Sequence, residues 1–521
     1  MTSHPRALSI AFLPLDERPV NIGLPEGVAA IAGAELLLPP DALLPKLRQP
    51  GDADALGRWF ERTAASADAA IVSLDMLCYG GLIAARTTHD TTLAALGRLD
   101  LLRRIHAAHP RLPLGAVSLV MRASNSYNPQ EEPEYWAQHG KELHHLGALH
   151  HRDFLESASA THSGNSDELA SLRKALPAEI VADFERRRLR NHHVNLEALA
   201  LASTGAIDPL LITADDTAEH SAGSVEQLWL RQWSAVLPIG GEVLMYPGAD
   251  EVAAVLVARQ LGHRFGITPT FTVECADPEG MARIAKYENS PMDEAVDRQI
   301  RASGSVVTDD RSAMALVIHA PDPKRRDHCG MVISRTDPRQ HDGGGAEYDD
   351  ADSSDARKSA DLILRLLGEG RQVALADLKY SNGADPLLVE ALERAGVLMQ
   401  LVAYGGWNTA GNALGSVVAA AAAMQIGSQA GTLDAAAAQR LLLHRLIEDY
   451  GYQALARRPL NFGVYTFPDR AEEQAAEAAM TTALTETLHR LSGRNDLGIA
   501  DVRFPWHRSF EIDFTITGDL S

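Results

Sequence analysis

PLLITADDT, Pro209 to Thr217, decides how this chain is read. A short apolar run that ends in polar turn residues is how a buried parallel strand meets the loop after it. The same pattern recurs in LSIAFLPLDERPVN (Leu8 to Asn21), AAIVSLDMLCYGG (Ala69 to Gly81) and EVLMYPGADE (Glu242 to Glu251). VALADLKYSNGAD (Val373 to Asp385) and LMQLVAYGGWNTAGN (Leu398 to Asn412) repeat it. In parallel sheets ligands bind beyond the carboxyl ends of the strands. At least six strands are thus expected to deliver acids, amides and paired glycines to one rim, the mark of an enzyme with an acidic, polar pocket.

At 521 residues, two or three domains are expected. A formal net charge of -21 argues against a nucleic-acid partner, which needs a clustered cationic surface. The strongest basic run, RRRLR at Arg186 to Arg190, reads as a solvated helix face. Cys78, Cys275 and Cys329 are too scattered for a disulfide framework or a metal knuckle. No apolar stretch reaches the roughly 18 residues that span a bilayer. The closest, GSVVAAAAAMQIG (Gly415 to Gly427), suits a packed internal helix. Asp16, Glu17 and Arg18 interrupt the N-terminal apolar run, so it reads as no signal peptide. A cytoplasmic protein with no membrane partner is expected, and a homo-oligomer is left open.

Residues 1-124 alternate strand and helix and form the first part of an α/β catalytic domain. Residues 125-203 are polar and helical, an insertion or lid. Residues 204-414 resume the alternation. Residues 415-521 are mainly helical, with a final strand in FEIDFTI. Strands ending at Leu15, Leu74, Met121, Ala214, Tyr246, His319, Ala376 and Ala403 number eight, which predicts a (β/α)8-like barrel with a helical insertion and a helical C-terminal region. Further strands near Ala34 to Leu38 and Thr268 to Val273 do not fit it. They favour the alternative, two doubly wound α/β domains with a cleft between them.

Two adjacent carboxylates at a strand end, Asp215 and Asp216, are the sharpest chemical signal. Coupled acids split into one raised and one ordinary pKa, which acid/base work requires. The competing reading is a helix N-cap with a solvated neighbour. Asp250, before Glu251, suits a cap as well. Asp75 lies within apolar sequence and is expected to be buried, with Arg18, Arg86 or Arg122 as its partner. Trp407 and Asn408 combine a ring that stacks on sugars with an amide for hydroxyls, or else a packed anchor and a cap. Lys379, Asn382 and Asp385 surround a glycine turn. No GxGxxG or P-loop follows a strand, so no nucleotide cofactor is expected. His144, His145, His150 and His151 lack metal-ligand spacing and read as a surface helix. The carboxylates themselves could hold a hard cation, although no metal site is assigned.

In order, LPLDERPVN, SLDMLCYGGLIAAR, ADDT, YPGADEV, NGAD, GGWNTAGN and FPWHRSFE resemble an uncharacterised bacterial family, the domain-of-unknown-function family numbered 4127, nearly end to end. The resemblance implies that these segments belong together and implies no activity. The Asp pair followed by a Trp-Asn segment is also similar to barrel-type N-acetylhexosaminidases. That similarity implies that Asp215 orients a substrate acetamide and Asp216 protonates the leaving oxygen, a substrate-assisted route.

The expected function is a glycoside hydrolase acting on a small or amino-sugar glycan, with Asp215 and Asp216 catalytic. Asp16, Arg18, Asp75, Arg122, Asp250, Glu251, Asp377, Asn382, Trp407 and Asn408 would bind a small-molecule or oligosaccharide substrate. The alternatives are a metal-dependent hydrolase using the same acids and a non-catalytic sugar-binding protein.

Overall fold

A computed structural model describes residues 7–159, 165–215, 217–239, 241–328, 348, 350–457, 460 and 466–520. The chain divides into two compact units, one of Met1–Glu17, Glu35–Leu256 and Tyr287–Ser290, the other of Arg18–Ala34, Val257–Lys286 and Pro291–Ser521. The expected 204-414 segment is therefore shared between the two.

The first unit is built on β1 (Leu8–Leu13), β2 (Ala34–Leu37), β3 (Ala69–Ser73), β4 (Leu114–Val120), β5 (Leu210–Ala214) and β6 (Val243–Pro247). Their order across the sheet is β2-β1-β3-β4-β5-β6, and each neighbouring pair from β1 to β6 runs parallel. β1, β3, β4 and β5 are buried along their whole length, which is why they read as continuous apolar runs. Among their polar residues Ser9 and Ser118 find partners, whereas the Thr213 hydroxyl in β5 has none among the described residues. Ser9 bonds Asp68, and Ser118 accepts from Asn195 Nδ2 at 2.8 Å.

The second unit carries β7 (Thr270–Cys275), β8 (Val306–Val307), β9 (Met314–His319), β10 (Val373–Asp377) and β11 (Ala403–Gly405) in the order β11-β10-β9-β7-β8, all parallel. An antiparallel pair, β12 (Gly498–Arg503) and β13 (Asp513–Thr517), follows.

Both parallel sheets thus have the same winding. The second strand lies outside the first, and the third returns to its other side, the 2-1-3-4-5 order of flavodoxin-type sheets. The eight strands counted toward a barrel fall five and three into two sheets, and no closed sheet occurs among the described strands. The strands that did not fit the barrel, β2 and β7, are members of these sheets. The fold is mixed α/β with parallel sheets.

Between β4 and β5 the described residues form helices Trp136–Ser159, Asn165–Ala175 and Ala178–Ser203, and no strand. The last of these corrects the reading of the basic run. Arg187, Arg188 and Arg190 are buried. Arg187 and Arg190 are drawn in by acceptors some 100 residues away, and Arg188 by acceptors 38 to 67 residues away, which a local reading of charge does not see. The helix Ala410–Ala430, which contains GSVVAAAAAMQIG, is long and apolar enough by composition to cross a membrane, but 89% of its most apolar window is buried.

Gly80 ends the helix Leu74–Tyr79 at φ +82°, and a Cβ there would stand 2.3 Å from the Gly51 carbonyl oxygen. Gly205 has φ +75° with open space around it. Gly205→Ala is expected to cost about 1 kcal/mol, and Gly80→Ala at least about 2 kcal/mol more, because only the latter adds a backbone clash to left-handed strain. Urea midpoints of the two variants against the parent check this, and equal losses would show that the Gly51–Gly80 contact yields freely.

Candidate active site

In the first unit each strand from β1 to β6 except β2 carries a charged residue just past its carboxyl end. Asp16 follows β1, Asp75 follows β3, Arg122 follows β4, Asp215 follows β5, and Asp250 with Glu251 follows β6. β1 and β3 flank the point where the winding reverses, the position at which such sheets open a crevice. The Gly80–Gly81 turn closes onto this point, with Leu82 N donating to Leu15 O at 3.2 Å.

Asp75 sits in the first turn of Leu74–Tyr79, whose N-cap is Ser73. Its Oδ2 accepts from Leu119 N at 3.2 Å. Burial pushes its carboxyl up to about 7, against the opposing pull of that N–H and of the Arg86 and Arg190 charges. Arg86 also reaches Asp215 at 2.5 Å and Glu131 at 3.2 Å. Arg122 pairs with Glu131 at 2.8 Å and Glu132 at 3.0 Å, and stands 3.8 Å from Asp215. Two guanidiniums and three carboxyls thus interlock, and Arg86 lies in the field of both Asp75 and Asp215.

The arginines of Ala178–Ser203 hold this lattice in place. Arg190 and Arg187 donate to carbonyls at the end of the helix Leu82–Thr87, including Ala85 O and Thr88 O. Those are the carbonyls that a helix end leaves without partners. Arg188 pairs with Glu226 at 2.7 Å and donates to Met121 O and Arg122 O. The residues from which Arg86 and Arg122 project are therefore pinned from behind. No local signal marks these arginines as structural. A basic run inside an amphipathic helix looks solvated until its acceptors are known.

Asp216 lies outside the described residues. Asp16, Asp250 and Glu251 are buried, and Glu251 Oε2 accepts from Ala249 N at 3.0 Å. Asp215 caps no helix, since the next helix, Ala222–Val236, is capped by Ser221.

The remaining expected residues belong to the second unit. Arg18 forms a buried pair with Glu511 at 2.6 Å and lies over the Trp506 ring. Asp377, at the end of β10, accepts from Asp385 N at 2.8 Å and Tyr404 Oη at 3.1 Å. Burial raises its carboxyl to about 6. Its Oδ1 has no hydrogen-bond partner among the described residues. Asn382 and Asn408 both adopt positive φ, and Asn382 N donates to Asn408 O at 2.9 Å, so the two amides mark paired turns. Trp407 is only 3% exposed and packs on Phe510, which leaves no ring face for a sugar. It is an anchor. His319 was missed, because a histidine closing an apolar strand carries no local sign of function. It lies 2.8 Å from Ser359 Oγ and 2.9 Å from Asp385 Oδ2.

The four histidines 144, 145, 150 and 151 lie on the helix Trp136–Ser159, and among the described residues no group of three or more His, Cys, Asp or Glu is arranged to hold a metal ion.

Residues 10–515 match the family described as a protein of unknown function, DUF4127, and the chain belongs to that family. No curated protein and no solved structure matches. The similarity to N-acetylhexosaminidases therefore rests on the local segments alone.

Asp75 binds its proton more tightly folded than unfolded, so stability falls as pH rises from the unfolded value near 4 to the folded value of about 7 and levels off above it. The cost at neutral pH is at most roughly 4 kcal/mol. Asp75→Asn removes this titration. The variant is expected to match the parent near pH 4 and to be the more stable of the two at pH 8. Urea unfolding at the two pH values checks it, and an unchanged difference between parent and variant across this range would mean that Asp75 is not held protonated.

Proposed function

We propose that this protein is a hydrolase of small glycans whose reaction takes place at the carboxyl edge of the first unit's sheet. One observation carries the reading. A buried carboxyl with a proton affinity near neutrality, Asp75, shares the field of Arg86 with a charge-paired carboxyl, Asp215. Acids placed in such different environments serve as proton donor and as orienting or charge-stabilising group.

In the proposed reaction Asp75 gives its proton to the departing glycosidic oxygen as the bond to the anomeric carbon breaks. Asp215, steadied by Arg86 and Arg122, faces the positive charge that develops on the sugar. Water then adds hydroxide to that carbon, and its remaining proton restores Asp75. The sequence-based donor, Asp216, is the neighbour of Asp215 and enters the same test.

Purified protein is assayed against a panel of 4-nitrophenyl glycosides that includes N-acetylhexosaminides. Turnover is expected, with kcat falling as pH rises through about 7, where Asp75 loses its proton. Asp75→Asn is expected to lower kcat at least about 100-fold at pH 7 while the protein stays folded. A loss seen instead in Asp216→Asn moves the donor two strands along, from the end of β3 to the end of β5. Full activity in both variants, or no turnover anywhere in the panel, overturns the assignment.

A further inference from the structure

The second unit contains a cavity of about 600 Å³, within the range of small-molecule sites. It lies between the helix Pro19–Ile31, the helix Ala435–Arg445 with its π-helical continuation Leu446–Ala456, and the C-terminal segment leading into β13. None of the residues assigned above to the glycan site lines it. Its apolar wall includes Val20, Leu24, Leu441, Ile512, Phe514 and Ile516.

The charges around it are unequal. Carboxyl groups come from every bordering element, namely Glu26, Asp434, Glu448, Glu511 and Asp513, whereas Arg440 and Arg445 are the cations in the lining. Arg440 is engaged with the Ile516 carbonyl at 2.6 Å. Glu511 and Asp513 have cations of their own, Arg18 at 2.6 Å and Arg503 at 2.5 Å. Asp434 caps the helix Ala435–Arg445. Arg445 is divided between Glu448, at 2.8 Å, and Asp449, so one guanidinium serves two buried carboxyls. His444 supplies no positive charge. It stacks on Phe514 at 4.4 Å, and burial beside Arg445 holds it down at about 3.

We propose that this cavity binds a small organic cation, an ammonium group on an apolar body, with Glu448 receiving the charge and the apolar wall receiving the body. His444 Nδ1 stands 3.6 Å from Glu448 but carries no charge, so among the described residues Arg445 is the cation shared by the pair of acids, and a ligand ammonium supplies a second. Burial, with Asp449, Glu511 and Asp513 nearby, raises the free Glu448 carboxyl to about 8. Binding at neutral pH therefore expels a proton from Glu448 as the ammonium takes its place.

Isothermal titration of the full chain with benzylamine at pH 7 tests this, with benzyl alcohol and benzoate as neutral and anionic controls. Benzylamine is expected to saturate at least tenfold more tightly than either control, and to release close to one proton when the titration is repeated in buffers of different ionisation enthalpy. Glu448→Gln is expected to weaken it at least tenfold and to abolish the proton release. Gly23 lines the cavity with nothing within 4 Å of a Cβ built on it, at an ordinary helical position. Gly23→Leu should therefore fold, fill the space and remove binding even if the Glu448 variant is unstable. Equal binding of the three probes, no binding of benzylamine, or undiminished binding to Gly23→Leu overturns the proposal.

Discussion

Burying a guanidinium costs several kcal/mol unless its donors are satisfied, and among its described residues the first unit buries four: Arg86, Arg187, Arg188 and Arg190. The arrangement holds because each meets carboxylates or carbonyls with lone pairs to spare. Arg188 has both oxygens of Glu226, and Arg187 and Arg190 take the carbonyls that the end of Leu82–Thr87 would otherwise leave unsatisfied. The helix end needs donors and the arginines need acceptors, so each removes the other's penalty. The consequence reaches the candidate site directly. Arg86 belongs to the turn so clamped, and its reach to Asp215 starts from backbone held by Arg187 and Arg190.

The parallel sheets impose a second constraint. A strand buried on both faces has no room for charge along its length, so charged side chains gather where the strand ends. Asp75 shows the cost and the use of this. It is one residue into a helix after a wholly buried strand, close enough to the apolar interior for its proton to be retained, yet still within reach of a backbone N–H and a guanidinium. A solvated aspartate would titrate with the bulk carboxylates and have no special chemistry to offer.

These origins explain which features could be read from sequence. Strands were legible because double-sided burial writes itself locally as an apolar run, and Asp75 stood out as an acid inside such a run. Arg86 was among the partners named for it, and it does act on Asp75. Allocation of strands to sheets was not legible. Eight strand ends suit one barrel or two sheets equally, and only β2 and β7 argued for the latter. Trp407 and the arginines of Arg186 to Arg190 misled for one reason: a side chain's surroundings come from distant parts of the chain, Phe510 in one case and Leu82–Thr87 in the other. Residue type states what a group can do, and its exposure decides whether it does so.

The same distinction governs the polar cluster at the end of β9 and β10. Ser359, His319 and Asp385 form a hydrogen-bonded chain whose members are those of a hydrolase triad. Membership is insufficient. A nucleophile must reach a substrate, and Ser359 is 3% exposed in the middle of the helix Asp350–Gly368, with His319 and Asp385 equally enclosed. Both His319 nitrogens are occupied, and Asp385 also caps the helix Pro386–Arg394 while its N–H holds Asp377. Every bond in the chain ties one strand end to the element beside it. The cluster fixes the carboxyl edge of the second sheet, whereas in the lattice of the first unit Asp215, Glu131 and Arg122 keep part of their surface open.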